Sequence, residues 1–365
     1  MVLIVGVALV VALTVHLNYY AITPGQATPV GPRIKVVNHQ HAPVRKTILL
    51  TDIYETQLTI LQWLIDEIHP VHVEVVNGSE LTGVNVPVSE LVAQGYLDMY
   101  DSKQSAEVVG MRAVGYRVTG TPAGATVHDV VSHAPAEGVL SVADRIVAAR
   151  GRPVRSFCGL LSAMSGAAPG KPVTLRVEHA AITRAGDLTY TAPVTVTAPT
   201  GTPTERLRVG ACPGSPQVTA ALGIAGEDAI DWHFPVKVSI NTAYIGGPSA
   251  GLAMALGVVD ALSKVSITGG MKGAATGTIS PSGAVGPIGG VAEKTIAVEN
   301  AGATLFLVPG GPNDQGNYAD ALHAASPSLR VVGVTTLREA LQAIERYGGR
   351  APVPIAGTSG GGATS

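Results

Sequence analysis

Residues 246–256 read Gly246-Gly247-Pro248-Ser249-Ala250-Gly251-Leu252-Ala253-Met254-Ala255-Leu256. Two glycines permit a backbone turn that other residues resist. Pro248 fits the first position of a helix, where its missing N–H costs nothing. The residues that follow are apolar all round, so the helix they form has to be buried. A fold that accommodates this stretch presents Ser249 on a tight turn at the head of an interior helix. Backbone N–H groups there carry partial positive charge and suit a developing oxyanion. Ser249 is a candidate nucleophile, and its plain alternative is a helix cap.

A serine nucleophile needs a base. Of the ten histidines only His233 and His323 fall in this part of the chain, and neither sits in a triad phrase. Lysine serves when desolvation brings its pKa down from about 10.4 toward neutrality. Lys294 lies in Gly289-Gly290-Val291-Ala292-Glu293-Lys294-Thr295-Ile296, which reads as a helix opened by glycines and stopped by Gly302. The positive end of that helix also disfavours the ammonium charge. The plain alternative is a surface lysine paired with Glu293 or Glu299.

Three phrases in order, Gly247-Pro248-Ser249-Ala250-Gly251, Ala275-Thr276-Gly277-Thr278-Ile279 and Pro287-Ile288-Gly289-Gly290-Val291-Ala292-Glu293-Lys294, resemble the proteolytic domain of the Lon family. The resemblance extends through Phe306-Leu307-Val308-Pro309 and covers residues 205–348. It implies an α/β (α+β) domain with a Ser249–Lys294 dyad that hydrolyses peptide bonds. It also implies that Thr276 supports Lys294 by hydrogen bonding, and that no metal or other cofactor takes part. Lon enzymes carry an ATPase, but no G-x-x-x-x-G-K-[ST] loop occurs in these 365 residues. The phrase ending in Lys294-Thr295 lacks the glycine before lysine. The expectation is an ATP-independent endopeptidase acting on loose peptides or unfolded proteins, with no nucleotide.

Residues 116–197 alternate short strands with turn signals. Ala136-Glu137-Gly138-Val139-Leu140, Asp144-Arg145-Ile146-Val147, Gly151-Arg152-Pro153-Val154, a helical Phe157 to Met164, Pro169-Gly170 and an alternating Val173 to Val177 resemble a PDZ domain. Ala143 departs from the glycine that usually precedes the aspartate. The resemblance implies an extended peptide added to a sheet edge. Residues 198–204 read as a linker and 349–365 as a flexible tail.

The chain begins MVLIVGVALVVALTVHLNYYAI and has no Asp, Glu, Lys or Arg before Arg33. About 20 apolar residues cross a bilayer, so residues 1–22 read as a transmembrane anchor with Tyr19 and Tyr20 at the interface. A short N-terminal tail that stays inside puts the catalytic part outside the cell membrane, after a single pass. Residues 23–115 form an N-terminal extracytoplasmic region, with a strand at 47–51 and helices at 58–68 and 102–114. Anchor, PDZ-like domain and Lon-like domain together resemble a group of bacterial ATP-independent Lon-like proteases. A net charge of −2 gives no reason to expect nucleic acid. Cys158 and Cys212 are too few for a disulfide framework or a structural zinc site, and one bridge is left open. Assembly into a homo-oligomer is left open too. The rival readings are a catalytically inert, membrane-anchored peptide-binding scaffold, and a nucleotide-binding domain that lacks the G-x-G-x-x-G context.

Overall fold

The computed structural model describes residues 2–37, 45, 47–68, 74–78, 88–183, 187–202, 212, 220–243, 245–311 and 316–354. The chain starts with helix α1 (Val2–Thr14), strands β1 (His16–Pro29), β2 (Ile34–Val36) and β3 (Ile48–Thr59), helix α2 (Ile60–Ile68), strand β4 (Glu74–Asn77) and helix α3 (Val88–Ala113). The middle holds β5 (Thr119–Val130), β6 (Arg145–Ala149), β7 (Arg152–Pro153), α4 (Phe157–Met164), β8 (Val173–Glu178), β9 (Ala180–Ile182), β10 (Leu188–Tyr190) and β11 (Val194–Ala198). The last part holds β12 (Ile224–His233), β13 (Val238–Ile240), α5 (Gly251–Ala261), β14 (Gly273–Ala275), β15 (Thr278–Ile279), β16 (Val285–Gly286), α6 (Val291–Asn300), β17 (Leu305–Pro309), α7 (Asn317–Ala324), β18 (Arg330–Val334) and α8 (Leu337–Arg346).

The principal sheet has the order β18-β17-β14-β3-β1-β4. Its first four strands run parallel, and β1 pairs antiparallel with both β3 and β4. Alternation along the strands divides the core in two. Leu50, Ala275, Leu305 and Leu307 face the cluster formed with α3, α5 and α8. Leu49, Ala274, Phe306 and Val308 face the cluster formed with α6 and α7. The stretch expected as a separate region at 23–115 thus supplies β1, β3 and α3 to the same layers as the last third of the chain.

The span expected over residues 1–22 is corrected. Helix α1 has 13 residues, about 20 Å at 1.5 Å per residue, against about 30 Å of hydrocarbon. From His16 the backbone is instead a strand, with Tyr20 opposite Gln57 and Ala21 opposite Thr56. Among the described residues no helix is long and apolar enough to cross a membrane. Hydropathy measures apolarity, and it does not say where the backbone hydrogen bonds go. Val5, Val7, Leu9, Val10 and Leu13 of α1 are exposed.

The second sheet is β11-β8-β6-β5-β12, with β7 against β6. It is antiparallel throughout and has its own core around Val127, Ile146, Phe157, Leu160 and Leu175. Helix α4 covers the residues expected, capped by Ser156, whose side chain accepts from the Gly159 N–H at 2.9 Å. Ala143, the departure from the glycine pattern, has φ +71°, so the turn does use a left-handed residue there. Helix α3 starts 14 residues before the expected helix and links the two sheets. On one side it packs on α5. On the other, Asp98 meets His128 at 2.9 Å, Glu90 accepts the Val130 N–H at 3.1 Å and Lys103 pairs with Asp187.

Cys158 and Cys212 are joined by a disulfide, with a Cα–Cα distance of 5.6 Å. Most of the expected linker is ordered into the second sheet: Ala198 ends β11, and the buried Thr200 hydroxyl donates to the Lys171 carbonyl at 2.7 Å. Residues 203–204 lie outside the described residues, as do 355–365 of the expected tail. Gly349 and Arg350 are held by the carbonyls of Ile344 and Ile267 at 2.9 and 2.8 Å.

Candidate active site

Ser249 lies on a single 3-10 turn, Pro248–Ala250, that runs directly into α5. Gly247 ahead of it has φ +82° and ψ 157°, a conformation left to glycine. All of α5 from Gly251 to Asp260 is buried, as its apolar sequence requires. Four contacts fix the turn. The Gly247 N–H donates to the Gly95 carbonyl at 2.7 Å, and the Ser102 hydroxyl donates to the Pro248 carbonyl at 3.1 Å. The Ser249 carbonyl accepts from the Gly277 N–H at 2.8 Å and from the Thr276 hydroxyl at 3.1 Å. Leu252 N–H closes the circuit on the Gly277 carbonyl at 3.0 Å. Ser249 itself is half-buried.

Lys294 is in the first turns of α6, whose N-cap is Gly290 at φ +63°. Only 2% of Lys294 is exposed, which removes the surface-lysine alternative. Its ammonium donates to the Gly289 carbonyl at 3.0 Å. Burial lowers its pKa to about 8, against the opposing attraction of Glu55, Asp52 and Glu293. Helix α6 ends at Asn300, with Gly302 left-handed just beyond it, as the sequence indicates.

Helices α5 and α6 cover opposite faces of the principal sheet, yet the Ser249 turn and α6 both lie against β3, near where β14 ends beside it. Ser249 is pinned to Thr276 and Gly277, which directly follow β14. Lys294 feels Asp52 and Glu55 of β3, the parallel neighbour of β14, and a Cβ on Gly290 would touch Ile53 at 3.0 Å. This is the carboxyl-end crevice at which open α/β sheets place their sites. Among the described residues no hydrogen bond joins Ser249 Oγ to Lys294 Nζ. The Thr276 hydroxyl, expected on the lysine, is directed at the serine's carbonyl. Sequence reading missed Gly95, Ser102, Asp52 and Glu55. They come from the N-terminal third, and no local spacing signals a partner that far along the chain.

Residues 228–345 match the family model for the Lon protease (S16) C-terminal proteolytic domain, and residues 112–189 match the PDZ domain. The chain carries a Lon-type proteolytic domain and a PDZ domain. The Lon-type match holds Ser249, Thr276 and Lys294, whereas β1, β3 and α3, which complete its sheet and core, lie outside it. Among curated relatives, Lon protease 2 of Bacillus subtilis is 38% identical over 35% of this chain and 21% of its own length. The Lon protease of Trichlorobacter lovleyi is 36% identical over 34% of this chain and 15% of its own length. The chain thus matches only a small part of these relatives. The PDZ domain of an SdrC-like protein from Listeria monocytogenes is 18% identical over 28% of this chain and 87% of that chain, with a TM-score of 0.21.

Proposed function

We propose that this protein is an ATP-independent serine endopeptidase in which Ser249 is the nucleophile and Lys294 the base. The observation that carries the reading is the buried Lys294, its pKa lowered to about 8, at the strand ends where the Ser249 turn is pinned. Neutral Lys294 takes the proton from Ser249 Oγ, and Oγ attacks the scissile carbonyl. The oxyanion faces backbone N–H groups at the head of the turn. Lys294 then protonates the leaving amine, and water repeats the steps on the acyl-enzyme. Thr276 and Ser102 position the turn. An approach of Lys294 Nζ from the Gly289 carbonyl to Ser249 Oγ accompanies substrate binding, because catalytic hydrogen bonds often tighten only with substrate present.

Extended peptides and unfolded proteins are the proposed substrates, on the absence of a phosphate loop in these residues. A cleft lined by Val92, Tyr96, Ile182 and Ala243 supports this, because Ala243 belongs to the loop that enters the Ser249 turn. The PDZ domain is proposed to recognise extended segments. Attachment to the cell membrane through the exposed apolar side chains of α1, with the catalytic part outside, fits a disulfide, which persists in oxidising compartments. An inert scaffold would leave the costly burial of Lys294 without a role. The test is labelling with a fluorophosphonate probe and mapping of the modified residue. Label on Ser249, lost in Ser249→Ala together with peptide hydrolysis, is the expected result. Label elsewhere, or hydrolysis by Ser249→Ala, removes the mechanism.

A further inference from the structure

A PDZ domain binds an extended peptide by adding it to a sheet edge. Within the residues that match that family, β5 is an outer strand of the sheet, and α4 packs beside it. That edge is filled by the chain itself. Strand β12, which lies outside the matched residues, pairs antiparallel with β5 from Ile224 opposite Val130 to His233 opposite Thr119. The ladder continues upstream, where the carbonyls of Gly223 and Leu222 accept the N–H groups of Val131 and Ala136, each at 2.9 Å.

Strand β12 is also held from its other side by α4. A Cβ on Gly226 would stand 2.4 Å from the Thr126 carbonyl oxygen and 2.6 Å from the Phe157 ring, so the chain is wedged between strand and helix. Leu222 and Ile224 are buried in the same core as Phe157 and Leu160. The Phe157 N–H, in the first turn of α4, donates to Asp228 Oδ1 at 2.8 Å, which puts an anion at the positive end of that helix. Backbone ladder, buried apolar side chain and an anchored carboxylate are what a bound peptide would supply.

We propose that β12 is a built-in ligand of the PDZ domain. The groove then accepts from outside an extended segment of the same pattern: an apolar residue in the place of Ile224, glycine two positions on and an acid two positions further. Such a segment binds by displacing β12. Because β12 continues through β13 into the Ser249 turn, its displacement alters the approach to the active site. The inference rests on the reading of the PDZ domain as a peptide receptor and is independent of whether Ser249 is a nucleophile.

The test uses the full chain as Ser249→Ala, so that no probe is cleaved, and a fluorescent peptide of residues 222–231. Binding is followed by anisotropy, and β12 and β5 by amide hydrogen exchange. Asp228→Ala removes the carboxylate from Phe157 and is expected to tighten peptide binding about tenfold. Gly226→Val expels β12 by steric clash and is expected to tighten it further. In the parent, saturating peptide should speed exchange in β12 while β5 stays protected. If Gly226→Val does not fold, Asp228→Ala alone carries the test. Equal affinity in parent and variants, or peptide binding that leaves β12 exchange unchanged, overturns the proposal. So does absence of binding in every protein, which also removes the receptor reading. Fluorophosphonate labelling of the chain that retains Ser249 is a separate measurement, so none of these outcomes decides whether Ser249 is a nucleophile.

Discussion

The Thr276 hydroxyl donates to the Ser249 carbonyl at 3.1 Å, beside the Gly277 N–H at 2.8 Å on the same oxygen. Thr276 is fully buried, while Ser249 is half-buried, so the bond ties the site's edge to the protein interior. Its role is to hold the backbone of the nucleophile. Thr276→Val removes the donor and keeps the shape, at a cost of about 1 kcal/mol, or roughly fivefold in rate if it falls on the transition state. The expected result is a fall in kcat with KM little changed, and recovery in Thr276→Ser. An unchanged kcat in Thr276→Val would show that the Gly277 N–H suffices.

Activity is expected to rise with pH through about 8, the value to which burial lowers Lys294. Below it the lysine is protonated and cannot take the serine proton. A histidine base near its ordinary value would instead plateau above about pH 7. A pH profile of kcat/KM distinguishes them, and Lys294→Arg should be inactive at every pH because guanidinium does not deprotonate.

The same shift makes a stability prediction. The unfolded chain keeps the lysine proton up to about 10.4, and the folded chain releases it at about 8. Between those values the unfolded state binds more protons, so stability rises with pH. Below about 8 the burial cost is present in full. Lys294→Met removes it, so at pH 7 this inactive variant should be more stable than the parent by on the order of 1–3 kcal/mol. Chemical denaturation measures this, and a destabilised Lys294→Met would mean that the bond to Gly289 outweighs desolvation.

The residues of the site were legible because glycine, proline and an apolar run impose a local shape. Pro248 before a buried helix and Gly290 before α6 both act within a turn or two. Their supports were not legible. Ser102 reaches Pro248 from helix α3, and Asp52 reaches the neighbourhood of Lys294 from β3, in layers whose elements come from both ends of the chain. The apolar start departs from a transmembrane helix for a related reason. Nothing local marks Val15 as the point where helix gives way to a strand that β3 completes. The helix Phe157–Met164 is legible in the sequence, but the strand seated against it lies far downstream, beyond β8–β11.

Gly247 offers a test of strain that involves no lost contact. A Cβ there would meet no atom within 4 Å, so Gly247→Ala introduces no clash. It does force alanine into φ +82°, ψ 157°, at a cost of about 1–3 kcal/mol. The chain relieves that cost by rotating the peptide that enters the Ser249 turn. A displacement near 1 Å at a reacting group lowers rates by about a hundredfold. Gly247→Ala should therefore fold, with a modestly lower Tm, and lose at least about tenfold in kcat. Full activity in the folded variant would mean that the four contacts on the turn override its entry conformation.

The disulfide should contribute to stability and to the seating of β12. It joins residues 54 apart in sequence, and a crosslink of that kind stabilises by about 2–4 kcal/mol, chiefly by restricting the unfolded chain. Cys158 is in α4, the wall of the groove, and Cys212 precedes β12. The bridge therefore tethers Cys212, ahead of β12 in the chain, to that wall, which raises the effective concentration of the internal strand. Cys158→Ala with Cys212→Ala should lower the denaturant midpoint, and in native buffer it should speed amide exchange in β12 more than in β14 or β17 of the principal sheet. If the midpoint falls but exchange rises equally in both sheets, the bridge acts on the unfolded state alone and has no local hold on β12.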